Sequence, residues 1–139
     1  MESPTNQAEA LKARTKQFAL RIIRLIRSLP RSAEGRIIGN QLLRSGMSVA
    51  ANYRAVCRAR FRPEFLSKLA IEIEKADESA FWLGLLVDAG LVSEAKRKDL
   101  KLGANQLVAI FNASSMTAKK VSQSSIINQQ SKIPTMRAS

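Results

Sequence analysis

Four carboxylates, Glu72, Glu74, Asp77 and Glu78, fall within seven residues, a grouping that could serve general acid–base chemistry if they met across a cleft. The other instruments of catalysis are missing. The chain has no histidine, and so lacks both the side chain that titrates nearest neutrality and the commonest nitrogen ligand of zinc. Its single cysteine, Cys57, can build neither a zinc nor an iron–sulfur cluster and reads as a small packed residue. No phosphate-cradling glycine loop, dinucleotide fingerprint or nucleophile elbow occurs. The expectation is a protein that is not an enzyme and holds no cofactor and no metal.

The plentiful chemistry is cationic. Against 11 Asp and Glu stand 23 Lys and Arg, a formal charge of +12. Residues 1–62 hold 13 of those cations and 3 acids, whereas residues 63–139 hold 10 and 8; eleven of the first 13 are arginines. A guanidinium presents a planar fork of donors that matches phosphate oxygens, so this choice of residue points to an anionic partner, nucleic acid foremost. The candidates are Arg14, Arg21, Arg24, Arg27, Arg36, Arg44, Arg54, Arg58 and Arg60, with Lys96, Arg97 and Lys98 as a second cluster. A solvated, solubilising surface is the simpler explanation of such charge. It is strongest for Arg58, Arg60 and Arg62, which follow the end of a predicted helix, where each cation gains about 0.3–1 kcal/mol from the helix dipole. Lys96–Lys98 lie near a helix start, where positive charge is mildly unfavourable by the same rule, and Glu94 and Asp99 offset it only in part. No helix-turn-helix or basic zipper is visible, so the expected contacts reach phosphates with little base readout. The competing function is a protein scaffold whose basic surface meets an acidic protein partner.

The elements that position these residues are helical. At 139 residues, 45% apolar and 24% charged, the chain has the size and balance of one globular domain. Leu11, Thr15, Phe18, Ile22, Leu25 and Leu29 step by four and three along one helix face, until Pro30 stops the helix. Ser32 can cap a second helix with the seam Ile38, Leu42, Ser45, Val49, Asn52 and Val56. After Pro63 comes a third seam, Leu66, Leu69, Ile73, Ala76, Ala80, Leu83 and Val87, which Gly90 closes. Ser93 can cap a fourth, built on Leu100, Gly103, Leu107, Ile110, Ser114, Thr117 and Val121. The predicted helices are 5–29, 33–59, 63–89 and 94–121, forming an all-α, antiparallel up-down-up-down four-helix bundle over residues 1–121. Residues 122–139, rich in Ser, Gln and Asn, are predicted to be a frayed or disordered tail.

Two features fall outside that simple pattern. Asn52 and Asp77 sit at or near the seams of different helices, and a buried carboxylate needs a partner, so the pair is predicted to form a structural polar contact. Leu20 and Ile23 lie among cations, and Phe81, Trp82 and Leu85 widen the third helix's apolar arc. One bundle core does not need these five, so they are predicted to line a homo-oligomer interface. The longest apolar run, Ala80–Val87, is too short to span a bilayer. With no visible secretory signal and one cysteine, the expected location is cytoplasmic, away from membranes.

The stretch RSGMSVAANYRAVCRARFRPEFLSKLAIEIEKADESAFWLGLLVDAGLV, Arg44–Val92, resembles the bacterial four-helix-bundle family named for proteins encoded in intervening sequences of 23S ribosomal RNA genes. The similar features are R-S-G-x-S-V-x-A-N-Y-R, the C-R-A-R and E-F that follow, and the later E-x-A-D-E-[ST]-x-[FY]-W-L. Ala55 departs from them, since relatives often carry Glu there. The resemblance implies a left-handed bundle assembled as a homopentamer, with no established enzymatic activity. It also implies kinship with the accessory proteins of diversity-generating retroelements, basic pentamers that bind a reverse transcriptase and nucleic acid.

Overall fold

Four α-helices follow one another along the chain: α1 (Pro4–Arg27), α2 (Ala33–Cys57), α3 (Arg62–Asp88) and α4 (Glu94–Ser131). The computed structural model describes residues 4–131, with side chains described over 6–121. The helix boundaries have local causes. The last turn of α1 tightens, with Ser28 N–H donating to Leu25 O at 3.0 Å and Leu29 N–H to Ile26 O at 3.1 Å, and Pro30 then forbids a further turn. Ser32 caps α2, its Oγ accepting from Gly35 N–H at 3.0 Å. Pro63 occupies the first turn of α3, where its missing N–H loses no bond. Gly90 ends the α3 region at φ +75, a conformation that a Cβ would disfavour. Ser93 Oγ accepts from Lys96 N–H at 3.2 Å at the head of α4.

Contacts between helices give their directions. On α1, Ile22 meets α2 at Gly46 and Ile26 meets it further back at Gly39, where Leu29 of the following turn also packs. Likewise α1 faces α4 with Arg14 beside Gln106 and Phe18 beside Gly103. Rising numbers on one helix meet falling numbers on the next, as short connections require of a bundle. The core holds Ile22 from α1, Leu42 and Val49 from α2, Leu69, Leu83 and Leu86 from α3, and Leu107 and Phe111 from α4. Each such side chain contributes about 1.5–3 kcal/mol by leaving water. Tyr53 and Phe111 stack at 5.9 Å between α2 and α4.

The predicted seam of α1 matches the buried face, but those of α3 and α4 are turned. The buried residues of α3 are Leu69, Glu72, Ala76, Ser79, Leu83 and Leu86, so Ile73, Ala80 and Val87 stand at its flank. On α4 the buried row is Leu100, Ala104, Leu107 and Phe111, in place of Gly103 and Ile110. Hydropathy misplaced the α3 face because two of its central positions, Glu72 and Ser79, are polar. On α2, Tyr53 takes the deep position assigned to Asn52, which is half-buried. The helix predicted to end at Val121 continues to Ser131. No proline intervenes along this stretch. The remainder of the predicted tail, 132–139, lies outside the described residues.

Candidate nucleic-acid interface

Core packing turns the arginines outward, because a guanidinium without a partner is too costly to bury. Arg14, Arg21, Arg24, Arg27, Arg36, Arg44, Arg54, Arg58 and Arg60 are all exposed, as are Lys96 and Lys98. They do not share one face. Arg14 and Arg21 line a cleft between α1 and α4, together with Gln106 and Asp99. Arg31 and Arg36 flank the α1–α2 turn. Lys12, Lys16 and Arg54 rim a groove between α1 and α2, together with Glu9, which pairs with Lys12. Arg60 and Arg62 stand at the α2–α3 end. Among the described residues, the ion pairs are Lys12–Glu9, Lys75–Glu78 and Arg97–Glu94, so the exposed arginines keep their charge uncompensated.

Arg97 does not belong to this surface. Its side chain is 10% exposed and pairs with Glu94 through both carboxylate oxygens. Its guanidinium lies near Gly84 of α3. The hydrogen bond from Arg97 holds the Glu94 carboxyl below the usual range. In sequence the residue looks like one of four neighbouring cations; the structure buries it and pairs it with Glu94 of its own helix.

The predicted Asn52–Asp77 pair is not formed. Asp77 is exposed, and the buried acid is Glu72, at 0% exposure. Turning the α3 face toward Glu72 and Ser79 rotates Asp77 out to solvent. Among the described residues neither buried Glu72 oxygen has a hydrogen-bond partner, and burial pushes the carboxyl up to about 8, which favours its neutral form at pH 7. Tyr53, across the α2–α3 contact, has its hydroxyl pushed up by burial, with smaller contributions from Cys57 and Glu72. The four acids therefore never gather around one cleft: Glu72 is sealed in the core, Glu74 and Asp77 face water, and Glu78 pairs with Lys75. Cys57, read as packed, is exposed. Among the described residues, no group of acids or cysteines could hold a metal ion, and no helix is long and apolar enough to cross a membrane.

The five proposed interface residues divide between two surfaces. Leu20 and Ile23 are half-buried in the α1–α2 groove, with Met47, Ala50 and Ala51 as its apolar floor. Phe81, 61% exposed, meets the half-buried Trp82 edge-on at 5.0 Å, with Leu85 one turn on. By helical spacing Glu74, Asp77 and Asp88 share that outer face of α3, and all three are exposed. An apolar strip with a basic rim thus lies on one side of the bundle, and an apolar strip among acids on another.

The sequence reading passed over Phe61. It stands between α2 and α3, 61% exposed, beside Arg60 and Arg62 at the mouth of a groove of about 1120 Å³. The available signal was the alternation Arg58, Arg60, Phe61, Arg62, an aromatic ring set among cations.

Comparison with known proteins agrees with this architecture. The family model for 23S rRNA-intervening sequence proteins matches residues 10–113. Among solved structures, the chain is similar to a protein of unknown function from the S23 ribosomal protein family of Bacteroides thetaiotaomicron. Identity is 27% and the TM-score 0.71, over 76% of this chain and 97% of that one. No curated protein matches.

Proposed function

The chain belongs to the 23S rRNA-intervening sequence protein family, and from that premise we propose a non-enzymatic, oligomeric bundle that binds RNA or DNA through its arginine-rich surface with little sequence specificity. The observation that carries this reading is the uncompensated state of the exposed arginines, whose charge the described acids do not neutralise. Such a surface attracts phosphate by releasing condensed counterions, whatever the bases. Spread over several sides of the bundle, it tracks a backbone better than it reads a groove.

Assembly completes the function. The groove rimmed by Lys12, Lys16 and Arg54 complements the α3 face of Phe81, Trp82 and Leu85 with its carboxylates. Two unlike surfaces that fit one another join subunits head to tail, and such an interface closes into a ring when its rotation allows. The family resemblance supplies five as the number of subunits, together with the kinship to retroelement accessory proteins. A ring repeats each weak phosphate contact and so raises avidity. The same basic-rimmed groove favours a second reading, an accessory subunit that docks an acidic protein partner or a reverse transcriptase. In either case we place the protein in the cytoplasm.

The test is purification at about 50 mM salt, followed by a wash at about 1 M, where screening shortens to roughly 3 Å. The expected result is a high ratio of absorbance at 260 to 280 nm before the wash and a normal one after it. Clean protein from the first step, which also fails to retain added RNA or DNA, overturns the reading.

A further inference from the structure

We propose that Phe61, with Arg60 and Arg62 beside it and Arg58 three residues before it in the chain, forms a site for single-stranded nucleic acid, in which an unpaired base stacks on the Phe61 ring and the guanidinium groups hold the neighbouring phosphates. This rests on the electrostatic reading above and adds to it a place and a substrate class.

The ring is in the wrong position for a structural role. Phe61 precedes α3 with extended backbone, φ −147 and ψ 163, and makes no side-chain cap. It is 61% exposed and has no ring partner among the described residues. Phe81 is equally exposed, yet its ring leans on Trp82 and stands among Glu74, Asp77 and Asp88, which repel phosphate. Phe61 stands among arginines instead. The nearest acid in sequence, Glu64, accepts from the backbone N–H of Arg60 at 3.2 Å and forms no ion pair among the described residues. The three guanidinium groups therefore stay available. Beside the ring, the groove, bounded by α1, the start of α3 and α4, is walled by Leu11, Phe65 and Ile110 and carries Gln7 and Ser114. It offers apolar contact for a base together with polar groups for its edge.

The combination selects single strands. Bases in a duplex are stacked on one another, and an aromatic ring on the outside of a bundle cannot reach their faces without unstacking them. In a single strand each base has a free face, and aromatic stacking is tolerant of sequence because every base has one. Arginines flanking the ring supply the electrostatic attraction that such sites combine with stacking.

The test measures fluorescence anisotropy of labelled oligouridylate, oligothymidylate and a duplex of the same length, using wild type, Phe61→Leu and Phe61→Trp. Phe61→Leu should weaken both single strands by about 5- to 100-fold, while duplex affinity and the salt slope stay unchanged. Phe61→Trp should restore binding, with its fluorescence quenched by the bound strand. Single-strand affinity that is equal in wild type and Phe61→Leu overturns the stacking site and leaves the electrostatic reading standing. A wild type that binds neither single strand nor duplex overturns both. If Phe61→Leu instead changes the mass by light scattering while affinity is kept, the ring is a subunit or partner contact and the proposal is wrong.

Discussion

The hydroxyls of Ser79 on α3 and Ser45 on α2 lie within hydrogen-bond distance of one another at 3.0 Å, with both residues shut from water, and each also reaches back to a carbonyl of its own helix, Ser79 to Lys75 O at 2.9 Å and Ser45 to Leu42 O at 3.1 Å. This contact marks the line along which the two helices meet, and it shows why α3 turns as it does. A small hydroxyl pair satisfies itself and lets the backbones approach, whereas the larger Ile73 and Val87 fill the flank. Ser45→Ala and Ser79→Ala should each cost about 1–2 kcal/mol, and the double variant less than their sum, with a coupling of at least roughly 0.5 kcal/mol. Urea unfolding of the four proteins checks this.

Gly46 fixes the approach of α1 to α2. A Cβ at that position would collide with Ile22 Cδ1, so the buried Ile22 side chain would have to shift within the core. Gly46→Ala should destabilise by about 1–3 kcal/mol. Ile22→Val removes the offending methyl group, so adding it to Gly46→Ala should recover part of the loss, although Ile22→Val alone destabilises. Thermal unfolding of the double variant decides it.

Glu72 should make stability depend on pH with an unusual sign. Its folded pKa is raised to about 8 from an ordinary 4.5, so the native state binds the proton more tightly than the unfolded chain. The stability it supports is complete below the unfolded value and is lost as pH rises through the folded one. Between about pH 5 and 8 the slope should approach 1.4 kcal/mol per pH unit. Glu72→Gln keeps the shape without the charge, and its unfolding free energy should lack that slope and exceed wild type at pH 8.5.

Assembly should depend on the two complementary strips. Leu20→Ser in the α1–α2 groove and Phe81→Ser on α3 touch opposite sides of the bundle, yet each should release monomer while the helical circular dichroism is kept. Light scattering reads the outcome: a wild-type mass of 15.3 kDa at micromolar concentration would refute the ring.

Much of this structure was legible in the residues. Pro30, Ser32, Pro63 and Gly90 punctuate the chain by backbone chemistry alone, and helix number and order follow from them. The α1 seam was readable because its one polar member, Thr15, turns its hydroxyl back onto its own helix at Leu11 O, at 2.9 Å. The α3 face was not, since no hydropathy pattern expects a carboxylate such as Glu72 at 0% exposure in place of the apolar Ile73 beside it. Asp77 was misplaced by the same error. For the charged surface, composition identified the cations, but only tertiary packing could bury Arg97 beside its partner Glu94. Phe61 needed the fold most of all: a phenylalanine in sequence is presumed buried, and its exposure appears only once α2 and α3 are placed.

The salt dependence of nucleic-acid binding tests the central claim most directly. Affinity for a labelled duplex, measured by anisotropy from about 50 to 200 mM salt, should fall linearly on logarithmic axes. The slope should shrink by roughly 0.9 for each phosphate contact removed when Arg21, Arg24 and Arg27 are changed together to Gln. Affinity that is indifferent to salt, or absent at about 50 mM, would contradict an arginine surface that works by holding phosphate.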